Sequence, residues 1–446
     1  MKPMERFVKI LPVFNSSVGR DIESLAGFYS NSDLIDNAIR SLIGNDFSRD
    51  NTIAGKSVLI KPNWVKHSLN DNDEICLRTN DKLILSVLKL VLELKPAKVI
   101  IGDAPIQGCE WNKLLPDAFY EDVKQLGKRY DTPVFIKDFR RATFNPLLND
   151  PQKELHPISE YAIIDVGAKS WLEPISRENE NNFRVTCYDP RRLAESHRKG
   201  MHRYCICREL LESDVVISMP KIKTHQKTGI TGALKNMVGI NGDKDYLPHH
   251  RAGGSEQGGD CYPGKNILRW AAEKALDYAN MNQGKRRYWI GYRISENLWK
   301  LSRPTPVHQL AASWYGNDTS WRMVMDLNTI ALYGKTDGSL SEHPQRLILS
   351  ICDGVIGGQG DGPLNPEPLP LGVISYTNTS SLNDICMATL MRFDYMKIPL
   401  LAGSMQAGSI NSTAIYYDNC LTDLKELMNH SVPTLPPPGW VEHLKQ

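Results

Sequence analysis

No window of this 446-residue chain reaches 18 uncharged apolar residues, which excludes an ordinary membrane-spanning helix. The best apolar run, Leu83 to Leu94, carries Lys89 and Glu93 at helical spacing. An excess of one charge is also lacking. The 53 basic and 51 acidic side chains leave a formal charge of +2 with no long basic stripe, so nucleic acid is not an expected partner. The first residues, MKPMERFVKILPVF, are interrupted by charge before an apolar signal core forms, and no secretory signal is expected. Clustered cysteines are missing as well. The nine are scattered, and the closest two, Cys205 and Cys207, lack the spacer and further cysteines of a ferredoxin or zinc cluster. No iron–sulfur cluster is expected. Scattered thiols suit a reducing cytoplasm and positions as small core residues.

What is present first is an alternation. Strand-like segments at Phe7 to Val13, Ser57 to Lys61, Lys98 to Gly102, Val215 to Ser218, Arg346 to Cys352 and Gly372 to Tyr376 are short and apolar. Helical patterns fall between several of them, at 33–42, 81–94 and 111–130, and another follows at 382–392. Such alternation predicts an α/β fold with a mostly parallel open sheet covered by helices on both faces. From 241 to 340 the alternation stops. That stretch reads as a mainly helical or irregular insertion capping the ligand edge, with residues 1–240 and 341–446 forming the α/β core.

Cations and imidazoles are then concentrated in one place. Within VVISMPKIKTHQKTGITGALKNMVGINGDKDYLPHH, Lys221, Lys223, His225, Lys227 and Lys235 lie among small residues after a buried strand, where open α/β sheets bind ligands. The segment has no G-x-x-x-x-G-K-[ST] spacing, so it is not a Walker loop. Lys221, Lys223 and Lys227 are expected to neutralise a substrate anion. Thr228 is expected to cap a helix whose N-terminus assists. His225 is the candidate general acid or base, with Lys223 and Lys235 beside it, because an unperturbed imidazole titrates near neutrality.

Further residues join by the same strand-end logic. Lys61 and Asn63 in IKPNW are candidate anion contacts, as is Arg322 through a bidentate clamp, with Asp318 as a helix cap beside it. Asp103, Asp353 and Asp361 follow or end buried strands. Asp243, His249 and His250 stand in NGDKDYLPHH, and carboxylate plus imidazole suits a divalent ion such as Mg, Mn, Fe or Zn. A polar turn whose aspartates make Asx-turns explains the last segment equally well. The stretch from Lys285 to Arg303 has Ile290, Ile294, Leu298 and Leu301 in one stripe among aromatic and basic residues. That is the profile of an interfacial helix, or of one packed on its own domain.

VLIKPNW, VIIGDAP, ISMPKIKTHQKTGITGALKNMVGI and CDGVIGGQGDGP together resemble the bacterial and archaeal family called domain of unknown function 362, over roughly Val58 to Pro399. The resemblance implies a shared site without naming a reaction. Some members carry a ferredoxin-like module; this chain has no CxxCxxC run, so no cluster carries over. The layout is also similar to nickel-pincer lactate racemases, which bear a Lys/His loop between two α/β halves.

The expected function is that of an enzyme acting on a small anionic substrate, phosphorylated or carboxylated and of a sugar-derived kind, with divalent-metal assistance. Two rivals stand beside it: a racemase or redox enzyme with an organic or organometallic cofactor, and a non-catalytic binding protein at a membrane-associated assembly. The expected location is cytoplasmic, with peripheral contact to the inner face of the membrane through 285–303.

Overall fold

The computed structural model describes residues 5–445 except 16–17, 145–148, 150–151, 179–181, 303–310 and 409–412. Its centre is a sheet of twelve strands. In chain order these are β1 (Phe7–Pro12), β2 (Ser57–Pro62), β3 (Lys98–Asp103), β4 (Val134–Asp138), β5 (Val215–Met219), β6 (Lys221–His225), β7 (Gly229–Thr231), β8 (Leu347–Gln359), β9 (Glu367–Leu369), β10 (Val373–Thr377), β11 (Ala414–Tyr417) and β12 (Cys420–Thr422). Their order across the sheet is β12-β11-β1-β10-β8-β5-β2-β3-β4, with β6 and β9 paired to β8 and β7 paired to β6. The run β8-β5-β2-β3-β4 is parallel throughout. Antiparallel pairing enters where β10 meets β8 and β1. The α/β fold read from the sequence is the one observed.

The two faces explain why these strands read as continuous apolar runs. Val58 and Ile60 of β2 belong to one hydrophobic cluster, with Val99, Ile101, Val215 and Ile217 and the helices Ile22–Ser30, Ser32–Ile43, Asp81–Glu93 and Asp117–Arg129. Leu59, Ile100 and Val216 belong to the opposite cluster, with the helices Ser320–Tyr333, Ser380–Leu390 and Pro399–Ala407. Side chains alternate across a strand, so only a doubly covered sheet asks for apolar residues at every position.

Local chemistry sets the helix starts. Asn31, Asn70, Asn80 and Asn266 each accept a backbone N–H from the first turn of the helix that follows. At the Ser320–Tyr333 helix the cap differs from expectation. Asn317 accepts from Ser320 N–H at 2.8 Å, while Asp318 accepts from the Trp321 indole and the Arg322 guanidinium. That helix lies inside the stretch read as an insertion and packs in the main core.

Two further differences arise along the chain. Tyr161–Asp165, His197–Arg198 and Met201–Cys207 form a separate three-stranded sheet that the sequence pattern did not reveal. β8 extends to Gln359, six residues past the anticipated end at Asp353. Glycines at 354, 357 and 358 therefore sit in a strand, where they give room for neighbours: a Cβ at Gly358 would lie 2.7 Å from the Lys223 Cβ. Among the described residues, no helix is long and apolar enough to cross a membrane. Seven of the nine cysteines are buried; Cys187 is half-buried and Cys420 exposed.

Candidate functional site

The segment expected as a ligand loop is in fact a β-hairpin. After Pro220 the chain enters β6, fully buried, and turns back as β7, with Gly229 at φ +77° closing the turn. The two-residue period of a strand places Lys221, Lys223 and His225 on the same side, with Ile222 buried in the opposite core. β7 leads into one short helix, Ala233–Asn236, and then into the loop that carries Lys244, His249 and His250.

Lys221 is structural. Its ammonium donates to Asp353 and to the Tyr29 hydroxyl, both at 3.1 Å, and Asp353 accepts from Asn80 N–H at 2.9 Å and from Tyr29. Asp353 lies within β8 rather than at its end, wholly buried, so its carboxylate is held by these donors. Lys61 behaves similarly. It donates to Asp103 at 2.8 Å, to Pro62 C=O at 3.1 Å and to Asn236 at 3.2 Å, while Asp103 also accepts from Trp64 and Ala104 N–H. Gly239 makes that pair possible, because a Cβ there would occupy the space of the Asp103 carboxylate and Lys61 ammonium.

The remaining cations form the site. Lys223 donates to Leu77 C=O, and burial followed by the charges of Lys221 and Lys235 lowers its pKa to about 7. Lys235 is lowered to about 7 by burial and by Lys227, Lys244 and Lys61. Burial lowers Lys227 to about 8, with Cys261 and Asp260 opposing. Lys244, which donates to Ala104 C=O at 3.3 Å, is lowered to about 8 by burial, with Asp103 opposing. Lys227 and Lys235 are half-buried, whereas Lys223, Lys244 and His225 are buried. Neither Lys227 nor Lys235 has a side-chain hydrogen bond or ion pair among the described residues.

Two histidines complete it, and their second nitrogens differ in role. His225 Nδ1 accepts the Lys227 N–H at 3.0 Å. Burial and the charges of Lys235, Lys227 and Lys223 push its pKa well below the histidine range, so the ring is neutral with its proton on Nε2. His249 Nδ1 lies 2.7 Å from Leu247 C=O, an acceptor only, so Nδ1 carries the proton and Nε2 keeps a free lone pair. Burial, with Lys227 and Lys235, holds its pKa low as well. His225 therefore offers an N–H donor and His249 an unprotonated nitrogen, with both rings held neutral by burial among cations. His225 was expected to act as a general acid or base; its lone pair is engaged by the Lys227 N–H, which leaves Nε2–H as its free polar group.

Other expected residues fall elsewhere. Thr228 precedes a strand, and its hydroxyl donates to Ile230 C=O at 3.2 Å. The N-terminus of the Ala233–Asn236 helix is already satisfied, with Asp384 accepting from Ala233 and Leu234 N–H at 2.7 and 2.9 Å. Asn63 donates its backbone N–H to the Thr79 hydroxyl and its side-chain amide, at 3.5 Å, to the Asn236 oxygen; its buried side-chain oxygen lacks a partner. Arg322 is held by Asp318 and Trp171 C=O and stacks on Trp321, so it is no free clamp. Asp361 is exposed and accepts from Gln226. Asp243 binds Arg141 at 2.6 Å and closes an Asx-turn onto Asp245 N–H.

Among the described residues, one group of three possible metal ligands has all its ligand atoms within 4.8 Å: His250, Cys261 and Glu273. Of the six residues expected to hold a metal, only His250 belongs to it. Asp103, Asp243 and Asp353 are consumed by cations and backbone donors, and His249 turns to the lysine cleft. Cys261, Glu273 and Lys244 were not anticipated. Lys244 stood inside the NGDKDYLPHH segment and was the one legible in principle; the other two carry no local spacing signature.

The sheet, covered by helices on both faces, makes this an α/β protein, and a group of buried and half-buried lysines and histidines gathers beside β6. Residues 164–389, half of the chain, match the family described as domain of unknown function DUF362, and the chain belongs to that family. A thylakoid-associated protein of Synechocystis sp. is 21% identical over 223 residues, covering 50% of this chain and 46% of that protein. The chain thus spans less than half the length of that relative. Among solved structures, a Thermotoga maritima protein matches at a TM-score of 0.33 with 9% identity, over 84% of this chain and 59% of that one. The lactate racemase apoprotein of Thermoanaerobacterium thermosaccharolyticum matches at 0.26 with 10% identity, over 80% and 55%.

Proposed function

We propose that the chain is an enzyme that binds a small carboxylated or phosphorylated anion in the cleft of Lys223, Lys227, Lys235 and Lys244 and moves a proton on it. The observation that carries this reading is the pair Lys227 and Lys235. Both ammonium groups lack a partner among the described residues, and each lies within reach of the other's charge. Asp260 offsets Lys227 only in part, its carboxylate being engaged by Arg251 and Asp318 N–H and the Thr319 hydroxyl, and no carboxylate offsets Lys235 among the described residues. A bound anion would relieve that repulsion. His225 then donates from Nε2 to the anion, the anion offsets the lysine charges that hold the His249 pKa low so that its Nε2 accepts a proton, and Lys223 or Lys235, titrating near neutrality, returns one. A divalent ion is disfavoured among these charges, so the lysines themselves take the electrostatic role first assigned to metal.

The test is a panel of small carboxylates and phosphate esters, read by thermal shift and calorimetry on wild type, Lys227→Ala and Lys235→Ala. At least one ligand class should bind and lose tenfold or more in affinity in both variants. Equal affinity in all three proteins would remove the cleft from consideration. For a carboxylate that binds, solvent deuterium should enter the adjacent carbon in wild type and not in His249→Ala.

A second reading concerns the helical hairpin Ile267–Asn280 and Arg286–Leu301. Its inner face packs closely: a Cβ at Gly291 would lie 2.8 Å from Ala275 C=O. Its outer face leaves Ile267, Trp270, Ile290, Ile294 and Leu301 exposed beside Arg286, Arg287, Arg293 and Lys300. Arg303, at the end of the stretch read as interfacial, lies outside the described residues. The name of the Synechocystis relative, a thylakoid-associated protein, supports peripheral contact with an anionic membrane surface. Flotation with anionic vesicles that is lost in Ile290→Ser/Ile294→Ser would sustain this reading, and absence of flotation would end it.

A further inference from the structure

We infer that His250, Cys261 and Glu273 form a zinc site that pins the helical hairpin to the loop bearing His249. The three ligands come from separate elements. His250 opens a two-residue strand paired with Phe183–Arg184, Cys261 follows the Asp260 turn, and Glu273 projects from the Ile267–Asn280 helix. All three are buried, at 4%, 0% and 7% exposure, and their ligand atoms lie within 4.8 Å of one another. Ligands around a tetrahedral zinc at 2.0–2.3 Å stand about 3.5 Å apart, so side-chain rotation alone closes the gap.

The donor chemistry selects the ion. A thiolate beside an imidazole disfavours Mg and Ca, which take oxygen ligands. One thiolate, one carboxylate and a neutral imidazole carry a charge of −2, which balances a dication in a buried site. Three protein ligands leave a fourth position for water or a small ligand.

The surroundings are built to hold these ligands still. Glu273 accepts Gly253 N–H at 2.9 Å, and Cys261 N–H donates to Gly253 C=O at 3.0 Å. The adjoining Asp260 carboxylate is spent on Arg251 N–H, Asp318 N–H at 3.0 Å and the Thr319 hydroxyl at 2.6 Å, so it remains outside the ligand set. His250 Nδ1 is buried without a hydrogen-bond partner, an expensive condition for an imidazole that has no function there. The cations facing the group are Arg184, paired with Asp277, Arg251, near Asp260, and Lys227. Adjacent histidines thus diverge: His249 serves the anion cleft and His250 the metal.

The experiment uses the full chain, purified without a metal-affinity tag, stripped with chelator and titrated with cobalt and then zinc. Wild type should bind one equivalent of cobalt with a thiolate-to-cobalt charge-transfer band, release it to zinc, and gain thermal stability with zinc. Cys261→Ser should lose the band, and Glu273→Gln should weaken zinc binding by about a hundredfold or more, while Cys420→Ser leaves both unchanged. Should Cys261→Ser fail to fold, Glu273→Gln and His250→Gln decide the matter by the same affinity readout. A wild type without the band, or a band that survives in Cys261→Ser, would show that the trio is only a hydrogen-bonded thiol–carboxyl pair beside a histidine. Anion binding by the lysine cleft is read separately, so either proposal can fail alone.

Discussion

Lys221 and Asp353 face each other at 3.1 Å across the neighbouring strands β6 and β8, with neither side chain exposed, and Tyr29 closes the triangle by donating to the carboxylate. Both were read from the sequence as ligand-binding residues. They instead fix the register on which the cleft depends, because β6 shifts its pairing with β8 between Lys221 and Lys223.

Breaking that pair should therefore unfold rather than inactivate. Asp353→Asn leaves a buried ammonium uncompensated and is expected to cost about 3–5 kcal/mol. Replacing both partners, Lys221→Met with Asp353→Leu, should recover part of it. Urea denaturation of the three proteins measures this, and a single variant of wild-type stability would mean that water already reaches the pair.

Stability should rise with pH through the alkaline range. Lys223 and Lys235 titrate near 7 in the folded chain, against about 10.4 for an unfolded lysine. Between these values the unfolded chain holds protons that the folded chain lacks, so stability climbs as pH rises across that window. The penalty is complete below about pH 7. Lys235→Met should flatten the profile and gain most at its acid end. An unchanged slope in denaturation midpoints between about pH 7 and 10 would contradict the lowered pKa.

Anion binding should take up protons. Sulfate is a suitable probe because it does not itself titrate in this range. An anion beside Lys223 and Lys235 raises their pKa, so affinity is highest below about pH 7 and falls as pH climbs through 8. Calorimetry in two buffers of different ionisation enthalpy reads the proton count directly. Binding with no proton uptake would place the anion away from these lysines.

Gly239→Ala should disturb the Lys61–Asp103 pair without replacing a charged residue. Its methyl group would meet the Asp103 carboxylate and the Lys61 ammonium, both buried. Overpacking of this kind costs about 1–3 kcal/mol. The urea midpoint should fall, and sulfate affinity should weaken with it, since Lys61 lies within reach of Lys235 and Lys244.

Several elements were legible because their reasons are local. An asparagine cap followed by apolar residues at helical spacing marks Asp81–Glu93 wherever it occurs. Runs such as SVLIK and KVIIG mark strands covered on both faces, so the parallel sheet followed from them. Lys223, His225, Lys227, Lys235 and His249 were legible as a cluster because cations and imidazoles crowd together in one sequence segment. Cys261 and Glu273 were not, since their meeting with His250 depends on how the Ile267–Asn280 helix returns over the loop.

The sequence by itself determined which residues carry charge near β6 and which runs are apolar enough to become a doubly covered sheet, since composition and period act over a few residues. Only the tertiary structure decided which charges are spent. Lys221 and Lys61 met carboxylates from distant strands, Asp384 reached a helix start 150 residues away, and Lys227 and Lys235 were left without partners among the described residues. Whether a cation is structural or functional depends on which carboxylates fold against it, and those carboxylates lie far along the chain.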